Sequence, residues 1–244
     1  MLLCISHGLG CRYYLGDFKD EKYLPDFHAM MSWNGNHFFA PESVLTSDGR
    51  RVMWAWQLHR PLAPTGVQSL PRELELPDDG VLRMRPLREL KTLRYEEKRE
   101  KKISLEAGKP RKLDTVEGDA FELEVVFKSP AAKEFGVDVL CDENGANGLR
   151  IAAVPESKTL RVGGVNAPFE FKRGADVTLR VFVDKNFVEV FADDRQAAAA
   201  TGAYNPENIH ARLFTEGRDV KVGTATSWKM KSIYEGSTVF EADD

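Results

Sequence analysis

Between Ala120 and Lys128 the chain reads Ala-Phe-Glu-Leu-Glu-Val-Val-Phe-Lys, so Phe121, Leu123, Val125 and Phe127 fall at every second position. A repeat of two puts these side chains on one face of an extended strand, whereas a helix would scatter them around its axis. Val177, Leu179, Val181 and Val183 repeat the pattern. The phase resets at Asp184-Lys185-Asn186, and Val188, Val190 and Ala192 form the returning face. Trp228 and Met230 mark a further strand. Several such strands at short spacing, each with one apolar and one polar face (Glu122, Glu124 and Lys128 on the latter), predict a β-sandwich over residues 103–244.

Residues 1–90 show shorter apolar runs separated by Gly, Pro, Asn and Asp, the punctuation of small sheets. Leu62 to Gly66 reads as a loop, and Leu82 to Pro86 as a strand returning after Asp78-Asp79-Gly80. The fold class expected is all-β. The one helix-like stretch is Arg88 to Lys102, where Glu97 and Lys101 pair at i,i+4. Its charge run predicts a solvated connector over 91–102, with the domain boundary there.

With 244 residues, a net charge of −4 and no basic block, the chain lacks the electrostatic footprint of a nucleic-acid or anionic-membrane binder. No apolar run approaches the roughly 20 residues that span a bilayer. Met1 to Ile5 is too short and uncharged for a signal peptide and reads as a buried strand. Three cysteines, Cys4, Cys11 and Cys141, form no disulfide framework and fit a reducing compartment, the cytoplasm. Cys4, His7 and Cys11 are the one conceivable metal set; small buried apolar side chains on strands are the favoured reading, and no metal or cofactor is expected.

The densest segment runs from Trp33 to Trp56. Asn34-Gly35-Asn36 is a tight turn that delivers His37, Phe38 and Phe39 onto a strand, and the Asp48-Gly49 pair predicts a two-residue hairpin loop. On the return strand Trp54 and Trp56 share a face. Flat apolar rings beside polar groups suit the C–H face of a sugar; a core pair is the alternative.

Four motifs in order carry a resemblance. Tyr13-Tyr14-Leu15-Gly16-Asp17-Phe18 is followed by His37-Phe38-Phe39-Ala40-Pro41-Glu42-Ser43 with Gly49-Arg50 and Ala55-Trp56. Then come Leu70-Pro71-Arg72-Glu73-Leu74 and the strand pair Val181 to Phe191. Together they resemble glycoside hydrolase family 32, the β-fructosidases: invertases, sucrose-6-phosphate hydrolases, levanases and inulinases. The resemblance implies the last blades of a five-bladed β-propeller followed by a β-sandwich. It implies a retaining hydrolysis of terminal fructosyl bonds in sucrose, sucrose phosphate or fructans, in which one carboxylate attacks and another protonates the leaving oxygen.

The carboxylates that the family uses lie in Asn-Asp-Pro, Glu-Cys and Arg-Asp-Pro motifs, and none of these strings occurs here. The nearest, Arg218-Asp219-Val220, lacks the proline. The chain is therefore expected to carry no catalytic residue, to be inactive alone, and to begin inside the fourth blade. By resemblance the substrate-facing residues are His37, Phe39 and Trp56. His37 replaces the family's Asp, offering a donor as well as an acceptor, and is equally well a structural rim residue. Phe39 replaces Tyr and keeps only an apolar wall. Trp54 is assigned to the core, Glu42 to a rim ion pair with Arg50 or Arg51, Asp17 to a turn, Asp184 to the hairpin, and Glu189 to the outer face or a domain contact. Two other readings stand beside the enzyme portion: a carbohydrate-binding or assembly module built on the sandwich, and one half of a split enzyme. Exposed blade edges predict association through residues 1–90, with a second copy or with a chain supplying the missing blades.

Overall fold

The computed structural model describes residues 1–6, 10–33, 37–59 and 63–233. β1 (Leu2–Ser6), β2 (Gly10–Lys19) and β3 (Lys22–Met30) pair antiparallel in chain order. A second antiparallel sheet contains β4 (His37–Leu45), β5 (Arg51–His59), β6 (Ala63–Gln68), β7 (Arg72–Glu75) and β8 (Arg83–Pro86). Its order is β4-β5-β7-β8, with β6 also paired to β5. The two sheets stack through Cys11, Tyr13 and Leu15 on one side and Phe38, Met53 and Ala55 on the other. Each large side chain so buried contributes roughly 1.5–3 kcal/mol. Ser32 ties the sheets: its hydroxyl accepts from the Cys11 N–H (2.9 Å) and donates to the Phe38 carbonyl (2.7 Å).

The tight turn expected at 34–36 lies outside the described residues. Two local expectations change. The β4–β5 loop is longer than two residues: Thr46 N–H donates to Arg50 O, and Ser47, Asp48 and Gly49 form the tip, with Gly49 at φ 83°. Ala63 to Gln68 is a strand rather than a loop, because Gln68 and Val67 find open backbone partners at Trp56 and Gln57.

A 3-10 helix at Arg88–Leu93 leads into the C-terminal domain. There one sheet runs β10 (Arg111–Lys112), β19 (His210–Glu216), β12 (Glu134–Cys141), β13 (Leu149–Val154), β14 (Thr159–Val162), β15 (Val165–Pro168). The other runs β18 (Gln196–Thr201), β17 (Phe187–Ala192), β16 (Val177–Asp184), β11 (Ala120–Lys128), β20 (Val220–Met230), β9 (Arg94–Leu105). Leu123, Val125 and Phe127 pack with Phe135, Val137 and Val139 of the facing sheet in one buried core. The Phe127 and Phe135 rings meet at 4.9 Å between centroids.

The helix expected to continue to Lys102 is therefore a strand from Arg94 onward. Ile103 and Leu105 enter the core two residues apart, and β20 supplies a long partner for the backbone. The charged residues Glu96 to Lys102 decorate a sheet edge, where they oppose edge-to-edge pairing.

The outer face of the β18-to-β9 sheet is not all solvated either. Phe182, Phe191 and Ala197 pack with Leu70, Leu87, Leu90 and Leu93 from the N-terminal side. Glu122, expected on the polar face, is fully buried between the guanidinium groups of Arg94 and Arg180. Arg94 also stacks 3.9 Å from the Trp228 ring.

Candidate functional site

β4 and β5 set the aromatic wall. Phe39 lies opposite Trp56 and Glu42 opposite Trp54, with Ala40 and Pro41 bulged between them and Ala40 at φ 44°. The Phe39 and Trp56 rings stand 5.9 Å apart at 40°, Phe39 half-buried and Trp56 44% exposed. Gly66 on β6, at φ 76°, passes beside the indole: a Cβ there would lie 1.9 Å from Trp56 Nε1. Only glycine combines that conformation with that approach. His37 opens β4 opposite Leu58; its side chain lies outside what is described.

Several neighbouring residues differ from expectation. Trp54 is half-buried on the strand face of Trp56, not in the Met53–Ala55 core. Glu42 is exposed and makes no ion pair among the described residues, because Arg50 is engaged elsewhere and Arg51 reaches Ser43. Asp17 lies within β2 opposite Leu24; the turn is formed by Asp20 and Glu21, both at positive φ. Asp184, by contrast, lies where expected, closing β16 at the hairpin, and is exposed.

Behind the wall, the Leu70 to Leu74 motif anchors the two domains. Arg72 and Glu189 are both buried; Arg72 Nη2 donates to Glu189 Oε2 at 3.0 Å. The Leu70 N–H donates to Glu189 Oε1 at 2.5 Å. The guanidinium lies 4.4 Å from the Phe38 ring and 5.5 Å from that of Phe191, so it is packed between one ring from each domain. Burial pushes the Glu189 carboxyl up, and Arg72 opposes the shift. Glu189 thus makes the domain contact.

The next residue, Glu73, anchors the linker. Its carboxylate accepts from the Arg88 backbone and guanidinium and from Arg50 Nη1, and Arg50 extends to Asp48 and Glu89. Burial works to raise Glu73, but the Arg88 and Arg50 bonds outweigh it and hold the carboxyl at about 2. These roles were not read from the sequence. The available signal was a lone Glu189 set within an apolar strand, and an Arg72-Glu73 pair between Leu70 and Leu74.

Among the described residues no group of three or more His, Cys, Asp or Glu side chains suited to a metal occurs, and the disfavoured Cys4, His7 and Cys11 set reaches beyond them. His7 lies outside them, and the buried Cys11 thiol is directed at Met31 Sδ, 3.8 Å away. Cys141 is also a free, buried thiol, pushed up to about 12 by burial. Among the described residues no helix is long and apolar enough to cross a membrane. What remains for chemistry is an exposed aromatic surface braced from behind by buried ion pairs, a surface suited to binding.

The family model described as "Glycosyl hydrolases family 32 C terminal" matches residues 89–229, more than half of the chain. The chain belongs to glycoside hydrolase family 32. Among family members, a levanase of Bacillus subtilis (strain 168) is 29% identical over 97% of this chain and 39% of its own length. A sucrose-6-phosphate hydrolase of Zymomonas mobilis is 26% identical over 86% of this chain and 42% of its own length. The chain thus spans about two fifths of the length of these curated relatives. The crystal structure of fructan 1-exohydrolase IIa from Cichorium intybus superposes with a TM-score of 0.80 at 16% identity, covering 92% of this chain and 55% of that one. That likeness is one of fold. The family 32 architecture is accordingly present: the end of a five-bladed propeller in the two N-terminal sheets, followed by the β-sandwich.

Proposed function

We propose that this chain is the C-terminal portion of a retaining β-fructosidase that hydrolyses terminal fructosyl bonds in sucrose, sucrose phosphate or fructans. The observation that carries this reading is the exposed Trp56 opposite Phe39, at the positions that match the family's sugar-side motifs. Phe39 and Trp56 supply an apolar wall to the fructosyl ring, and His37 supplies a hydrogen-bonding group at its edge. The nucleophile, the acid/base and the carboxylate that holds the fructose hydroxyls come from polypeptide that these 244 residues do not contain. Loss of even one such group typically costs several orders of magnitude in rate, so the chain alone is inactive. Two buried free thiols support a reducing, cytoplasmic setting.

The test is reducing-sugar release from sucrose and inulin, by the purified chain and by the chain mixed with the N-terminal half of a family 32 enzyme. No turnover alone, with turnover regained in the mixture, is the expected result. Turnover by the chain alone within a few-fold of an ordinary invertase sinks the proposal.

A further inference from the structure

Two loops at one end of the sandwich, between β12 and β13 and between β18 and β19, enclose an open groove of about 1070 Å3. This is the size of a roomy small-molecule site, where ~300–1,000 Å3 is usual. The lining is distinctive in its chemistry. Asn144 and Asn147 on one wall face Asn205 and Asn208 on the other, with Leu149 and Ile209 between them. No lysine or arginine lines it, and Asp142, Glu143, Glu207 and His210 complete the polar lining. An anion would meet carboxylates there, with no lysine or arginine to receive it. Neutral amides that donate and accept at once, beside aliphatic patches, match a polyol with hydroxyls on its rim and C–H groups on its faces.

Both walls are held before any ligand arrives. Asp142 accepts from the Asn144 and Ala146 N–H groups and from Asn147 Nδ2, each at 2.9 Å. Across the groove Asn205 Oδ1 accepts from the Glu207 N–H (3.0 Å), and the Asn208 N–H returns to Asn205 O (3.0 Å). Gly202 N–H donates to Asn186 O in the β16–β17 hairpin at 2.8 Å. Such bracing lowers the ordering cost of binding. The side-chain amides of Asn144 and Asn208 take no part in it: neither makes a hydrogen bond among the described residues.

We propose that this groove is a binding site for a neutral oligosaccharide, formed by sandwich residues alone, with Asn144 and Asn208 as its hydroxyl-reading groups. The groove is separate from the aromatic wall at Trp56, and its chemistry is the same whether or not that wall serves a fructosidase.

Calorimetric titration of the full chain with 1-kestose, maltotriose and cellotriose tests it. Saturable binding of at least one trisaccharide is expected, weakened about tenfold or more in the Asn144→Ala/Asn208→Ala double variant. Ala203→Trp, which fills the groove from an exposed lining position, provides a second block that removes no bracing bond. Absence of saturable binding to all three sugars overturns the proposal. So does binding that survives both groove variants. Loss in Trp56→Ala alone overturns it while leaving the fructosidase reading intact. Conversely, failure of the mixed halves to release fructose, with groove binding retained, removes the fructosidase reading only.

Discussion

Arg72 of β7 and Glu189 of β17 are separated by 117 residues in sequence, yet their side chains meet at 3.0 Å in the buried seam between the two domains. Neither side chain is more than 2% exposed. Each ion is expensive to bury, and each neutralises the other. The pair is therefore a specificity device: it fixes which part of β7 faces which part of β17, and penalises any other docking.

Removing one partner leaves the other charged and buried. Glu189→Ala is expected to destabilise the fold by about 3–5 kcal/mol, and an Arg72→Met/Glu189→Leu double variant by clearly less. Urea denaturation read by tryptophan fluorescence measures both. Equal losses in the single and double variants would mean that the ion pair is not what couples the domains.

Glu73 predicts an acid limb. Its folded pKa of about 2 lies below the ordinary 4.5, so the unfolded chain binds its proton first as the pH falls. Its contribution is complete above about 4.5 and is lost progressively between there and pH 2, on the order of 2 kcal/mol after allowance for the exposed Arg88. In Glu73→Gln the stability profile should be flatter over that window. Thermal melts from pH 2 to 6 supply the comparison.

Trp56 and Gly66 separate ligand contact from packing. Trp56→Ala removes a half-exposed ring and should cost less than about 1 kcal/mol of stability, while lowering kcat/KM of the reconstituted enzyme by about tenfold or more. Gly66→Ala should do the reverse first: strain at φ 76° and the collision with Trp56 Nε1 reduce stability by about 1–3 kcal/mol and displace the indole. A Trp56→Ala variant with full activity would remove that ring from the site.

Phe18, Leu24 and Phe27 are 73%, 49% and 52% exposed on β2 and β3, and among the described residues the sheet that carries them packs on β4 and β5. The chain is expected to form dimers or larger species at high concentration, and Leu24→Lys/Phe27→Glu to shift it toward monomer. Light scattering with increasing concentration reports this; a wild-type monomer throughout would show that these side chains are tolerated in water.

Much of this was legible along the chain. Period-two alternation at 121–127 and 177–192 specified strands, because an extended backbone sends neighbouring side chains to opposite faces whatever surrounds it. The motif order placed Phe39 and Trp56 on one hairpin, and their register follows from strand pairing. Arg94 to Lys102 reads as helix-like along the chain because Lys and Glu favour helices, and the open edge of β20 overrode that local preference.

What sequence alone determined was which segments extend and which hairpin carries the aromatic wall, since both depend on neighbours a few residues apart. Only the tertiary structure decided that Glu122 and Glu189 are buried rather than solvated, and that Arg72 and Glu73 brace the wall rather than face a sugar. The reason is physical: a carboxylate enters an apolar seam only if a guanidinium arrives from a distant strand to meet it, and no local pattern records that arrival.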